Sequence, residues 1–153
     1  MASIYSICNG VRGVEEMIRS FSHPLVDCAR TKVITDVTPR QSSLEVQLYD
    51  GQGNYLLQDS VIGEGYTFPG LLLTLHPREQ EMRIESIYVK PQYYGRGIGT
   101  AFVRQVMQGA KKEGYRRIRV VADDTTNAVE YWRRVHGFEA ADVIRPLVLE
   151  KRI

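Results

Sequence analysis

The stretch Val89-Lys90-Pro91-Gln92-Tyr93-Tyr94-Gly95-Arg96-Gly97-Ile98-Gly99 decides the reading of this chain. The segment from Met82 to Val89 reads as a strand and ends at Pro91, which cannot continue a ladder. Three alternating glycines follow, Gly95, Gly97 and Gly99. Then Thr100 to Glu113 carries Phe102, Val103, Val106, Met107 and Ala110 at helical spacing, with Gly114 as its stop. Strand, glycine turn and helix together make an anion site. The first turn of a helix leaves its amide N–H groups without acceptors, and its dipole favours negative charge. Glycines let a phosphate approach the backbone, and Arg96 adds a fixed positive charge. Two phosphate motifs do not fit. A Walker A loop needs Lys before the Ser/Thr, and here Gly99 precedes Thr100. A dinucleotide fingerprint belongs in a first βαβ unit, whereas this turn lies far into the chain and puts Thr100 at the third glycine position.

Working outward, Arg117 to Ala122 reads as a strand and Thr125 to Val135 as a helix stopped by Gly137, with Asp123, Asp124 and Thr125 as caps. Phe138 onward returns as strand, and a last strand is expected from Val143 to Ile153. Upstream, residues 12–30 read as a helix through Val14, Met17, Ile18 and Phe21, broken or kinked at Pro24. A further turn is expected through Leu25, Val26 and Ala29. Lys32 to Val37 and Leu44 to Tyr49 read as strands. Asp50 to Asn54 is turn chemistry, Tyr55-Leu56-Leu57 opens a return strand, and Gly70 to Leu75 is another strand. Strands alternating with helices imply an α/β (α+β) layer with some parallel pairing.

With 153 residues and 25% charged side chains, the chain has room for one core and needs no disulfide or metal staple. No apolar run approaches the ~20 residues that span a bilayer. The first residues show neither a basic nor a long apolar segment, so a cytoplasmic location is expected. Cys8 and Cys28 have no paired spacing and read as two partly buried thiols of a reducing compartment. His23, His76 and His136 show no ligand spacing, so no metal site is expected. The net charge of +2 divides unevenly: residues 1–80 hold 6 Lys+Arg against 9 Asp+Glu, and residues 81–153 hold 14 against 9. A basic second half suits a polyanionic ligand, and an acidic first half a cationic one. The nine tyrosines do not interleave with a basic stripe, which speaks against nucleic acid; Arg116, Arg117 and Arg119 read as strand-edge and surface charges.

The decisive stretch resembles the signature of the GNAT superfamily of N-acetyltransferases, a strand ending V-x-P followed by Q/R-x-x-G-x-G/A and a helix. Val89 and Pro91 fit it, and Gly97 and Gly99 take the two signature glycines; Tyr94 stands where the family has Gln or Arg. Later, Ala128-Val129-Glu130-Tyr131-Trp132 and Gly137-Phe138 resemble the family's A-x-x-Y helix running into Gly-Phe. The register aligns the family's Tyr with Trp132, one extra residue precedes Gly137, and Asn127 lies two residues past the usual Asn position at Thr125. The resemblance spans about residues 81–140.

It implies one N-acetyltransferase domain over residues 1–153, with 1–80 as acceptor side, 81–140 as acetyl-CoA-binding core and 141–153 as C-terminal strand. It also implies a mixed, mostly antiparallel central sheet flanked by helices and splayed between its fourth and fifth strands. Acetyl-CoA is the implied co-substrate, held along Ile87, Tyr88 and Val89 for its pantetheine arm. Tyr94, Gly95, Arg96, Gly97, Ile98, Gly99 and Thr100, with Asn127, would line its phosphate end, and Lys111, Lys112 or Arg133 would reach the 3′-phosphate. The acceptor is a primary amine of a small molecule or protein. An ammonium must lose a proton before it can attack a thioester, which calls for a base. Glu85 is the first choice, placed by a strand's period of two on the face of Ile87 and Val89; Glu81 and Asp123 are alternatives. Tyr131 is the implied acid for the departing thiolate, and an amide of Ile87 or Val89 would polarise the carbonyl. Two rivals are a non-catalytic acyl-CoA-binding or interaction module on the same fold, and a nucleotide-binding domain. Val143-Ile144 and Leu147-Val148-Leu149 would complete the sheet or pair across a homodimer.

Overall fold

A transverse row of apolar side chains, Leu44, Leu73, Ile84, Val120 and Leu149, runs across five paired strands of the protein. The computed structural model describes residues 4–122, 126–141 and 147–153, with the backbone alone at 4–9 and 126. Within them lie α1 (Ile4–Arg19), β1 (Lys32–Val37), β2 (Ser42–Gln47), β3 (Ser60–Val61), β4 (Thr67–Phe68), β5 (Leu71–His76), β6 (Glu81–Ile87), α2 (Ile98–Lys112), β7 (Arg117–Val121), α3 (Thr126–His136), β8 (Glu139–Ala140) and β9 (Val148–Arg152). Seven strands form one sheet in the order β1-β2-β5-β6-β7-β9-β8, and β3 and β4 form a separate ribbon. Only β6 and β7 pair in parallel; the other neighbours are antiparallel.

Period-two alternation sorts the residues between the two faces. The apolar row lies under α1 and α2, whose Val14, Ile18, Phe102 and Val106 are buried. The helices approach closely because Gly109 has no side chain where Met17 sits, and Phe21 meets Phe102 edge-on at 5.1 Å. The adjoining row on the opposite face is polar: Ser43, Thr74, Arg83, Arg119 and Glu150.

Three upstream expectations are corrected. The first helix ends at Arg19, five residues before Pro24, and Cys28–Arg30 forms only a single 3₁₀ turn, capped by Asp27. The segment 55–57 returns antiparallel only onto the residues just past β2, where Leu56 N–H bonds to the Leu48 carbonyl and Asp50 N–H to that of Asn54, and does not grow into a strand. It makes isolated bridges, Tyr49 to Tyr55 and Leu57 to Val89, and carries the chain from the end of β2 to the end of β6 with Leu56 and Leu57 buried. The place beside β2 belongs to β1 and β5, whose longer ladders satisfy more backbone groups. Cys28 is exposed and free. Downstream, the C-terminal strand completes the sheet, since β9 lies between β7 and β8. Its expected start at Val143-Ile144, like Asp123 to Thr125, lies outside the described residues.

Candidate active site

The parallel seam of β6 and β7 holds for only four pairs, Glu81–Arg117 to Ile84–Val120. Beyond it the strands part. β6 stays with β5, and the backbone of residues 88–90 bonds to Gly70, Gln58 and Leu56; β7 follows β9 through Val121–Val148. The sheet is therefore open between its fourth and fifth strands in spatial order.

A β-bulge marks the opening. Leu73 faces Ile84 and Leu72 faces Ser86, which leaves Glu85 without a partner. The extra residue shifts the alternation by one and returns Ile87 to the apolar face, opposite Leu71. The Glu85 carboxylate instead lies on the polar face, accepting a hydrogen bond from Thr74 Oγ1 at 2.8 Å. The expectation that Glu85 shares a face with Ile87 and Val89 is thus wrong, because a strict period of two does not survive a bulge. Thr74 Oγ1 is also 2.9 Å from His76 Nε2. Since Thr74 spends its proton on Glu85, the imidazole donates to Thr74. Burial, foremost, and Arg83 hold His76 below its ordinary pKa, against the pull of Glu81, Glu79 and Glu85. Glu85 is exposed, so it is reachable from that face.

On the other side of the opening lies α2. Gly97 caps it with φ 76°, and no side chain bonds to its first amides. Gly95 shares φ 76°, a left-handed conformation that an L side chain reaches only with strain. Gly99 has no such constraint; a Cβ there would meet Val89 and Ile87 at ordinary contact distances of 3.9 and 4.0 Å. The amides of Ile98, Gly99 and Thr100 are left to face the cleft. Because Tyr88 N–H bonds to Gly70 and Lys90 N–H to Leu56, alternation turns the amides of Ile87 and Val89 toward the opening.

A cleft of ≈ 780 Å³ joins these parts. Its walls include Glu85, Ile87, Tyr88, Val89, Tyr94, Gly95, Gly97, Ile98, Gly99, Thr100, Asn127 and Tyr131, together with Trp132 and Val103. Arg96, alone among the residues expected in the glycine turn, does not line it. The Arg96 carbonyl accepts from His23 Nε2 at 2.9 Å, while Leu25 N–H donates to His23 Nδ1, so the glycine turn is latched to the segment after α1. Lys111, Lys112 and Arg133 are exposed and do not line the cleft.

α3 closes the cleft. The family register would put Trp132 in the tyrosine place, but Trp132 is buried against Phe138 at 5.2 Å, and it is Tyr131 whose hydroxyl meets Thr100 Oγ1 of α2 at 2.8 Å. That hydroxyl is also 2.8 Å from His136 Nε2. Burial raises the Tyr131 pKa, against the opposing effects of Thr100 and Arg104, so the phenol keeps its proton at neutral pH. Burial, with Arg104 and Lys151, drives His136 down to about 4.

Glu81, the alternative base, is fully buried and away from the opening. Arg83, Arg117 and Arg119 converge on it at 2.6, 3.1 and 3.2 Å. Arg117 and Arg119 are therefore partners in an ion cluster rather than surface charges. Among the described residues no group of three or more His, Cys, Asp or Glu could hold a metal ion, and no helix is long and apolar enough to cross a membrane. The roles of Thr74, His76, His23 and His136 escaped the sequence reading. Thr74 and His76 do share a face of β5 at a strand's period of two, but Glu85 joins them from β6, His23 meets Arg96 from a distant segment, and His136 meets Tyr131 across the end of α3.

Residues 44–138 match the acetyltransferase (GNAT) family. The chain belongs to that family. The match begins at β2, well upstream of the glycine signature, and takes in the bulge, the turn and α3. An uncharacterized N-acetyltransferase of Methanocaldococcus jannaschii is 36% identical over 78 residues, which is 50% of this chain and 34% of that protein. The chain thus matches about a third of the length of that curated relative. Among solved structures, Tetrahymena GCN5 superposes with a TM-score of 0.53 at 12% identity, over 76% of this chain and 70% of that one. An acetyltransferase of the GNAT family from Staphylococcus aureus gives 0.50 at 11% identity, over 73% and 67%. These likenesses fix the fold: a mixed, mostly antiparallel sheet flanked by helices and open at one seam.

Proposed function

We propose that the chain is an acetyl-CoA-dependent N-acetyltransferase acting on a primary amine of a small molecule or protein by direct attack in a ternary complex. The observation that carries this reading is the meeting of an uncapped α2 N-terminus with a strand seam that opens at Glu85. The amides at 95–100 suit a pyrophosphate, and the free edge at Ile87 and Val89 suits an extended amide-bearing arm. Acetyl-CoA supplies its acetyl group as a thioester. Glu85, held by Thr74, accepts a proton from the acceptor ammonium. The amine lone pair then bonds to the carbonyl carbon while an amide of Ile87 or Val89 donates to its oxygen. The nitrogen, cationic once that bond forms, loses its second proton to water; as the C–S bond breaks, sulfur leaves with the electron pair and Tyr131 gives it a proton. No enzyme-bound acyl group is needed, so Cys28 has no role.

Calorimetric titration with acetyl-CoA, with ATP and NAD as controls, tests the ligand. Micromolar acetyl-CoA binding that Gly97→Glu abolishes in a folded protein supports it; preference for ATP or NAD, or no binding at millimolar acetyl-CoA, overturns it. An amine screen with thiol release as readout then tests turnover. Glu85→Gln should lower the rate by roughly 10²-fold with acetyl-CoA affinity unchanged. Binding without turnover across the screen would favour an acyl-CoA-binding module.

A further inference from the structure

The Tyr131 hydroxyl lies between two polar neighbours, Thr100 Oγ1 and His136 Nε2, each at 2.8 Å. His136 is 2% exposed at the end of α3. Its ring packs among aromatics, edge-on to Tyr131 at 5.1 Å and Phe138 at 6.4 Å and tilted against Trp132 at 5.3 Å. Lys151 Nζ donates to its carbonyl from β9 at 2.7 Å, pinning the helix end. Its other ring nitrogen, Nδ1, is buried and has no hydrogen-bond partner. A neutral imidazole carries one N–H. Placed on Nδ1, that hydrogen would be a buried donor with no acceptor, the costlier kind of orphan; placed on Nε2, only a lone pair is left. The ring is neutral at physiological pH, since burial and the charges of Arg104 and Lys151 lower its pKa. The hydrogen therefore sits on Nε2 and points at the Tyr131 oxygen.

Resting on the reading of Tyr131 as the acid, we propose that His136 is a positioning residue: its Nε2–H donates to the Tyr131 oxygen, turns the phenol hydrogen away toward Thr100 and the cleft, and with Thr100 Oγ1–H holds the oxygen as it becomes a phenolate. The step is balanced. The phenol O–H breaks, its proton joins the departing thiolate to give a thiol, and the phenolate is later reprotonated from solvent as Glu85 releases the amine's proton. The sequence shows no trace of this pair, because residues 131 and 136 do not share a face in an uninterrupted helix.

Two readouts test it without an acceptor. Nitrogen NMR of His136 in the ligand-free protein should show a neutral Nε2–H tautomer; an Nδ1–H tautomer overturns the proposal. The second uses CoA itself as probe, reading the thiolate-to-thiol ratio of bound CoA from thiolate absorbance across pH. Tyr131→Phe should lower that ratio roughly tenfold, the size of a hydrogen bond to a charged group. His136→Phe, which keeps the aromatic packing, should lower it about threefold, and His136→Gln, which keeps a donor, should restore it. Adding His136→Phe to Tyr131→Phe should change nothing further. If Tyr131→Phe moves the ratio and His136→Phe does not, this inference alone falls. If Tyr131→Phe has no effect, the acid assignment falls with it, and failure of CoA to bind removes the proposed function itself. Should His136→Phe not fold, the tautomer measurement on the natural protein still decides.

Discussion

Replacing Glu81 by Gln separates a structural carboxylate from a catalytic one. The side chain is fully buried at the start of β6, with three guanidinium groups at 2.6, 3.1 and 3.2 Å. At an effective dielectric of about 20, each contact is worth about 5 kcal/mol of gross attraction. Most of that is offset by desolvation of the carboxylate and by mutual repulsion of the arginines, two of which are more than a third exposed. The loss when the buried charge alone is removed is nonetheless about 3–5 kcal/mol, because the cations stay where they are without a counter-charge. In a domain of this size that lowers Tm by about 10–15 °C. The cluster sits at the closed end of the β6–β7 seam, so the cost falls on the joint that defines the cleft. Urea unfolding of Glu81→Gln is the assay, with Glu150→Gln as control. The Arg119–Glu150 pair is longer, 3.4 Å, and partly exposed, and its loss should cost less than about 1 kcal/mol. Stability of Glu81→Gln within about 1 kcal/mol of the natural protein, or a large loss of turnover at unchanged stability, would refute the reasoning.

The two signature glycines should behave differently. Gly97→Ala meets a left-handed φ and should cost about 1–2 kcal/mol, whereas Gly99→Ala has room and should leave the melting temperature essentially unchanged. Acid should find His136: its pKa falls from 6.5 unfolded to about 4 folded, so its neutral form is fully accommodated above about pH 6.5. As pH drops toward 4 the unfolded chain takes up the proton first, and up to about 3 kcal/mol of stability is lost. The stability difference between the natural protein and His136→Phe should shrink over that window, and a pH-independent difference would count against the burial assigned to this ring. Thr74→Val keeps shape but releases the Glu85 carboxylate. It should lower the acetyl-transfer rate roughly tenfold in single-turnover measurements while leaving the acetyl-CoA KM alone.

Much of this architecture is legible in local pattern. Lys32–Val37 forms β1 over the expected residues, and the glycine turn introduces α2 as its spacing requires. Those features depend on neighbours in sequence. What the pattern hid depends on register between strands or on contacts between elements. Alternation along 82–89 gives no sign of the extra residue at Glu85, because its cause is pairing with β5. Segment 55–57 has a strand's composition, yet longer ladders claim its expected partner. The ion cluster around Glu81 joins residues 36 positions apart that only the parallel seam aligns. Tyr131 stood one position off the family register, and its placement became clear only with α3 seen against Thr100.

The unpaired residue in β6 has a consequence for how two reactants can meet. With unbroken alternation, Ile87 would leave the apolar layer and the strand would show the same chemistry along each side. One inserted residue makes the sheet a partition with a doorway. On the proposed function, a phosphate-bearing molecule would seat on α2 from the helical side and an amine would reach Glu85 from the polar side. Neither visitor would then cross the other's path, so either could enter or leave while its counterpart stayed. Deleting Glu85 would therefore do more than remove a carboxylate: it would leave Ser86 opposite Leu72 and Ile87 opposite Leu71 while erasing the bulge that marks the doorway.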